Sequence, residues 1–207
     1  MVDTSGAVYA FRGGNRRDFW RYDTSSGTWQ ERADAPERVK WGAALVWDGS
    51  NTIYAFRGNK RDDFWKYSIS GDSWTSLDDT TQSVYDGGAL VYVGGDIYAF
   101  RGDDRDDFWK YSVAGDTWTS LTDAPGSVEE GGALAWDGDD YIYALRGDKK
   151  KDVWRFRIST SAWEELDDAP ENVDDGGALV LLDDAIYALR GDNNDDFWKL
   201  SPLPGTP

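Results

Sequence analysis

The chain repeats itself five times, and that repetition limits its fold more than any other feature. The phrase Ile-Tyr-Ala-Phe-Arg-Gly recurs with small changes from Val8, Ile53, Ile97, Ile142 and Ile186, at intervals of 45, 44, 45 and 44 residues. A second phrase, Asp-Phe-Trp-Lys-Tyr or a variant, begins at Asp18, Asp63, Asp107, Asp152 and Asp196. A third ends on Trp29, Trp74, Trp118 and Trp163. A fourth, Gly-Gly-Ala-Leu or a close variant, begins at Gly42, Gly87, Gly131 and Gly176. Repeat units therefore fall at about residues 1–41, 42–86, 87–130, 131–175 and 176–200, followed by a Pro-rich tail at 201–207.

Each phrase reads as a short strand bounded by turn residues. In the second unit the expected strands are Ala43–Trp47, Ile53–Arg57, Asp63–Tyr67 and Trp74–Leu77. Alternation puts Tyr54 and Phe56 on one face of the second strand, with Ile53, Ala55 and Arg57 on the other. A lone sheet of four short strands cannot bury both faces. Radial stacking buries them and leaves only short edges. The reading is all-β: one β-propeller of about five four-stranded blades. Trp20, Trp65, Trp109, Trp154 and Trp198, with the four fourth-strand tryptophans, are expected to fill the wedges between blades.

The order of these phrases resembles the kelch motif: a hydrophobic first strand, glycines after the second, a Tyr-type third strand and Trp in the fourth. The resemblance covers essentially the whole chain. One departure is that the glycine pair after the second strand is Arg-Gly here, as in Arg57-Gly58. The WD40 repeat has a similar length, but its Gly-His signature cannot be built from a chain without histidine. The kelch resemblance implies partner binding at the end of the ring where the second-to-third-strand turns meet the lead-ins to the first strands.

The two end units are short. Met1-Val2-Asp3 aligns with Val46-Trp47-Asp48, leaving a stub of a first strand, and Ser201–Pro207 stands where a fourth strand would be. A ring with two thin blades, a piece of a longer array, and two chains completing each other are the readings this leaves, with a monomer expected first. Ile53–Leu77 and Ile97–Leu121 agree at 20 of 25 positions, which suits recent amplification of one blade or deliberate engineering.

Composition excludes several functions. The net charge of −17 disfavours nucleic acid and anionic membrane partners. With no Cys and no His, the chain cannot form a disulfide, a thiol or His-based catalytic group, or a Cys/His zinc site. No stretch is long enough for a membrane-spanning helix. No signal peptide precedes the first repeat, and the compartment stays open, a soluble secreted prokaryotic fragment being one reading. No cofactor, metal or catalytic residue is expected. Asp137-Gly138-Asp139-Asp140 lacks the spacing and distal Glu of a calcium loop, and the Arg-Gly-Asp triplets at Arg101, Arg146 and Arg190 follow from the repeat itself.

Among near-identical blades, residues fixed in every copy serve the fold, and residues that vary are candidates for recognition. The varying turns and lead-ins nominate Arg16, Arg17, Lys40, Trp41, Arg61, Tyr85, Arg105 and Lys150 as contacts for a protein or carbohydrate ligand. Arg12, Arg57, Arg101, Arg146 and Arg190 end the five second strands. They form either an Arg ring at the channel mouth, suited to a carboxylate or anionic sugar, or structural pairs with Asp18, Asp63, Asp107, Asp152 and Asp196. The leading expectation is a non-catalytic binding module. The alternatives are a propeller scaffold without a specific ligand and, less favoured, a carboxylate-dependent glycosidase.

Overall fold

A computed structural model describes residues 6–182 and 185–200. The expected first-strand stub at 1–3 and the tail at 201–207 lie outside the described residues. The described residues form eighteen strands in five antiparallel sheets, with no helix among them. Blade 1 holds β1 (Val8–Phe11), β2 (Phe19–Asp23) and β3 (Thr28–Glu31). Blade 2 holds β4 (Ala44–Trp47), β5 (Thr52–Phe56), β6 (Phe64–Ser68) and β7 (Ser73–Ser76). Blade 3 holds β8 (Ala89–Val93), β9 (Asp96–Phe100), β10 (Phe108–Ser112) and β11 (Thr117–Ser120). Blade 4 holds β12 (Ala133–Trp136), β13 (Tyr141–Leu145), β14 (Val153–Arg157) and β15 (Ala162–Glu165). Blade 5 holds β16 (Ala178–Leu182), β17 (Ala185–Leu189) and β18 (Phe197–Leu200).

Strands pair in sequence order within each blade, in the up-and-down pattern of a propeller. The first strands β4, β8, β12 and β16 are innermost and pack on one another in succession. Together they line a channel of about 430 Å³. Among the described residues, blade 1 lacks this inner strand and blade 5 lacks the outer one.

The alternation expected for the second strand is observed. Tyr54 and Phe56 face blade 3, whereas Ile53 and Ala55 face blade 1. One joint recurs between blades. Phe56 lies parallel to Trp118 of the next blade, with ring centres 5.8 Å apart, and Phe64 meets the same indole edge-on at 4.9 Å. Trp118 Nε1 donates to the Asp78 carbonyl at 3.0 Å. The Asp78 amide donates to Asp116 Oδ1 at 2.9 Å, and Tyr111 Oη donates to the same oxygen at 2.6 Å. These donors hold the Asp116 carboxyl below its ordinary range, the Asp78 amide contributing most. The same joint forms one blade earlier from Phe11, Phe19, Trp74, Ala33, Asp72 and Tyr67. One blade later, Trp163 stacks on Phe100, meets Phe108 edge-on and donates to the Thr122 carbonyl, but Ser161 replaces the aspartate.

The tryptophans expected in the core are divided. Trp65, Trp109 and Trp154 are buried, and Trp74, Trp118 and Trp163 are partly buried in the joints. Trp29 departs from the expectation: it is 55% exposed, because no described blade precedes blade 1 to receive it.

Candidate functional site

The second-to-third-strand turns and the first-strand lead-ins meet at one end of the ring, and backbone hydrogen bonds tie them together. Asn59, Asp103, Asp148 and Asp192 donate their amides to the carbonyls of Trp41, Asp86, Glu130 and Asp175. Each of these turns needs left-handed backbone at two successive non-glycine residues, such as Asn59 and Lys60 at φ near 60°. Gly58, Gly102 and Gly147 precede such turns and lie so close to the lead-in backbone that a Cβ would overlap it. Backbone bridges Arg16–Val39, Arg61–Val84, Arg105–Val128 and Lys150–Val173 lock the neighbouring positions. The valines are buried and the four cationic side chains are exposed. Arg17 is also exposed, but its Nε donates to the Ala35 carbonyl at 2.7 Å.

Apart from Arg17, the seven other candidates from the sequence fall into two groups. Lys40, Trp41 and Tyr85 come together across the junction of blades 2 and 3. Trp41 and Tyr85 meet edge to face at 5.7 Å, and Lys40 Nζ sits 3.2 Å above the Trp41 ring. Lys60, which was not nominated, completes the group: its Nζ lies 4.5 Å above Tyr85 and 3.2 Å from Asp103. Trp41 stays 50% exposed. Arg61 belongs to the exposed bridge positions, together with Arg16, Arg105 and Lys150.

The position that is Trp41 in blade 2 is Asp86, Glu130 and Asp175 in blades 3 to 5. The lead-in end is thus split between an aromatic, cationic sector and an acidic one. Burial, then repulsion from Glu130, Asp175 and Asp103, raises the Asp86 carboxyl from 3.8 to about 6. Burial and Glu130 likewise raise Glu129.

The five arginines are each paired with the aspartate of their own blade. Arg57–Asp63, Arg101–Asp107 and Arg190–Asp196 close at 2.8, 2.9 and 2.7 Å, while Arg12–Asp18 and Arg146–Asp152 are longer at 3.4 and 3.5 Å. In four of them Nε also reaches back to a lead-in carbonyl, at Arg38, Ser83, Ser127 or Asn172. These guanidiniums stitch the ring, which leaves them fewer donors for a ligand. Below the mouth, the channel walls are aliphatic and aromatic, with Trp47, Tyr92 and Trp136 among the lining residues.

The Kelch motif family matches residues 87–125, the span of blade 3. The solved structure of YjhT superposes with a TM-score of 0.73 at 16% identity, covering 90% of this chain and 70% of that one. At that identity the likeness is one of fold. No curated protein matches the chain.

Proposed function

On a kelch-like β-propeller such as this one, we propose that the lead-in end is a non-catalytic binding face, with the Trp41–Tyr85 pair as its anchor and a protein as its ligand. The observation that carries the reading is the half-exposed Trp41 held edge-on by Tyr85 at the one lead-in where the repeat puts an indole in place of a carboxylate. Large aromatics at the centre of a surface are the usual hot spots of recognition. The acidic sector beside them favours a partner presenting lysine or arginine, whose aliphatic stem would lie on Trp41 while its charge faces Asp86 and Glu130. Among the described residues the channel lining is aliphatic and aromatic, which favours binding over catalysis.

An array of Lys- and Arg-containing peptides, run beside a panel of neutral oligosaccharides, tests the reading. Binding to the basic peptides that weakens about tenfold in Trp41→Ala, with an unchanged melting temperature, supports it. Oligosaccharide binding that depends on Trp41 would make the ligand a glycan. No binding on either panel, or equal loss of folding and binding, overturns the proposal in favour of a scaffold.

A further inference from the structure

Between blades 4 and 5 lies an apolar cavity of about 220 Å³. Its lining matches, position by position, the joint that receives a fourth-strand tryptophan elsewhere in the ring. Leu145 and Val153 stand where Phe100 and Phe108 hold Trp163, and Trp198 stands where Trp109 meets Trp118 edge-on at 6.0 Å. Asp167, on the rim, occupies the place of Ala33, Asp78 and Thr122, whose carbonyls accept from the three joint indoles. The cavity is therefore an indole slot with a stacking floor, an edge-on wall and a hydrogen-bond acceptor.

The strand that would carry the indole is also missing from the described residues. β7, β11 and β15 cover the outer edges of β6, β10 and β14, whereas no described strand pairs with the outer edge of β18. In blades 1 to 4 the joint Trp follows the third-strand Trp by nine residues; nine residues beyond Trp198 stands Pro207. Proline has no amide to donate to a strand ladder.

We propose that this slot and the outer edge of β18, which no described strand covers, form a docking site for an extended segment of another polypeptide carrying Asp-Xaa-Trp. The segment adds as the fourth strand of blade 5. Its indole enters the slot and donates to the Asp167 carbonyl. Its aspartate accepts from the Asp167 amide, as Asp72 and Asp116 accept from Ala33 and Asp78. The chemistry of the occupant comes from the molecule itself, which fills the equivalent place at blades 2 and 3 with such a strand.

The test uses the full chain and a capped synthetic peptide with the sequence of residues 115–121, Gly-Asp-Thr-Trp-Thr-Ser-Leu, bearing 5-fluorotryptophan. Expected are a displaced ¹⁹F resonance and new protection from hydrogen exchange at Phe197–Leu200. Replacing the peptide Trp by Ala should weaken binding about tenfold or more, and Asp by Asn by a smaller factor. The chain variant Val153→Phe rebuilds the Phe floor of the internal joints and should tighten binding several-fold, a gain that misfolding cannot mimic. Equal binding of the Ala peptide, protection at Thr28–Glu31 instead of β18, no effect of Val153→Phe, or no shift at millimolar peptide would each overturn the proposal. None of these results bears on the Trp41 face, which lies at the lead-in end.

Discussion

Blades 2 to 4 and the two end blades share nearly the same sequence, yet the same residues do different things in them. Phe64 is fully buried against Trp118 and Tyr111, while its counterpart Phe197 is 60% exposed. Trp74 stacks on Phe11 and meets Phe19 edge-on; among the described residues, the ring contacts of its counterpart Trp29 are with Trp20 and Tyr22 of its own blade. The difference teaches that a blade of this protein is not a unit of stability. The joint between blades is, and stability accrues joint by joint as in other repeat arrays. The two faces left open, that of Trp29 on blade 1 and that of Leu189 and Phe197 on blade 5, are the two halves of one further joint.

Truncating a joint indole should separate the two regions most widely. Trp118→Ala removes the stacking, the edge contact and the Asp78 hydrogen bond together, and we expect a loss of about 3 kcal/mol. Trp29→Ala should cost below about 1 kcal/mol. Chemical denaturation of both variants measures the gap. Equal losses would mean that blade 1 has a neighbour in solution, and a mass measurement would then show whether a second chain supplies it.

The glycines repeat the contrast through the backbone. Gly13 and Gly102 share φ 69°, so an alanine at either suffers the left-handed penalty of about 1–2 kcal/mol. A Cβ on Gly13 meets nothing within 4 Å, whereas one on Gly102 lies 2.0 Å from the Asp86 carbonyl oxygen. Gly102→Ala should therefore be clearly more destabilising than Gly13→Ala, by thermal melting. A similar drop in both would place another chain's backbone over Gly13.

Much of this was legible in the sequence, because period, alternation and turn chemistry all point to one blade. The strand boundaries in blade 2 shift by only one residue from those expected. The Trp41–Tyr85 group was legible from its departure from the repeat. What a repeat hides is its neighbours. Trp29 carries the same local pattern as Trp74, but no described blade receives it, so it is exposed. The indole slot was detectable in principle, since Pro207 breaks the nine-residue spacing, but its walls, Leu145 and Val153 against Trp198, are 53 and 45 positions apart in sequence. The role of Lys60 is not legible from the sequence because it depends on Tyr85, in the lead-in to the next blade.

Arginine offers a smaller contrast of the same kind. Arg101 has only 14% of its side chain exposed, donates to Asp107 and also holds the Ser83 carbonyl. Arg12 is 52% exposed and is tied to Asp18 at 3.4 Å. Arg101→Ala should cost about 1–2 kcal/mol, and Arg12→Ala no more than about 0.5 kcal/mol. Similar losses in denaturant titration would contradict the reading of these arginines as stitches between successive blades.

The channel mouth is where middle and end blades should behave alike, and this gives the smallest expected effect. Asp86 of blade 3 feels Asp175 of blade 5 as well as Glu130 of blade 4. Its carboxyl lies near 6 when folded, above the ordinary 3.8. A raised carboxylate binds its proton more tightly in the folded chain, so its ionisation opposes folding. Below about pH 4 the group is protonated in both states and contributes nothing; the penalty grows as pH rises from about 4 to 6 and is complete above that. Asp86→Asn should thus raise the melting temperature by about 2 °C at pH 7.5, and the advantage should vanish at pH 4. Comparing variant with parent at each pH cancels the opposite trend of Asp72 and Asp116, whose lowered carboxyls lose stability in acid. If Asp175→Asn reduces the Asp86→Asn gain, blade 5 is held at the mouth as firmly as blades 3 and 4. Independent effects of the two substitutions would show that blade 5 leaves the ring in solution.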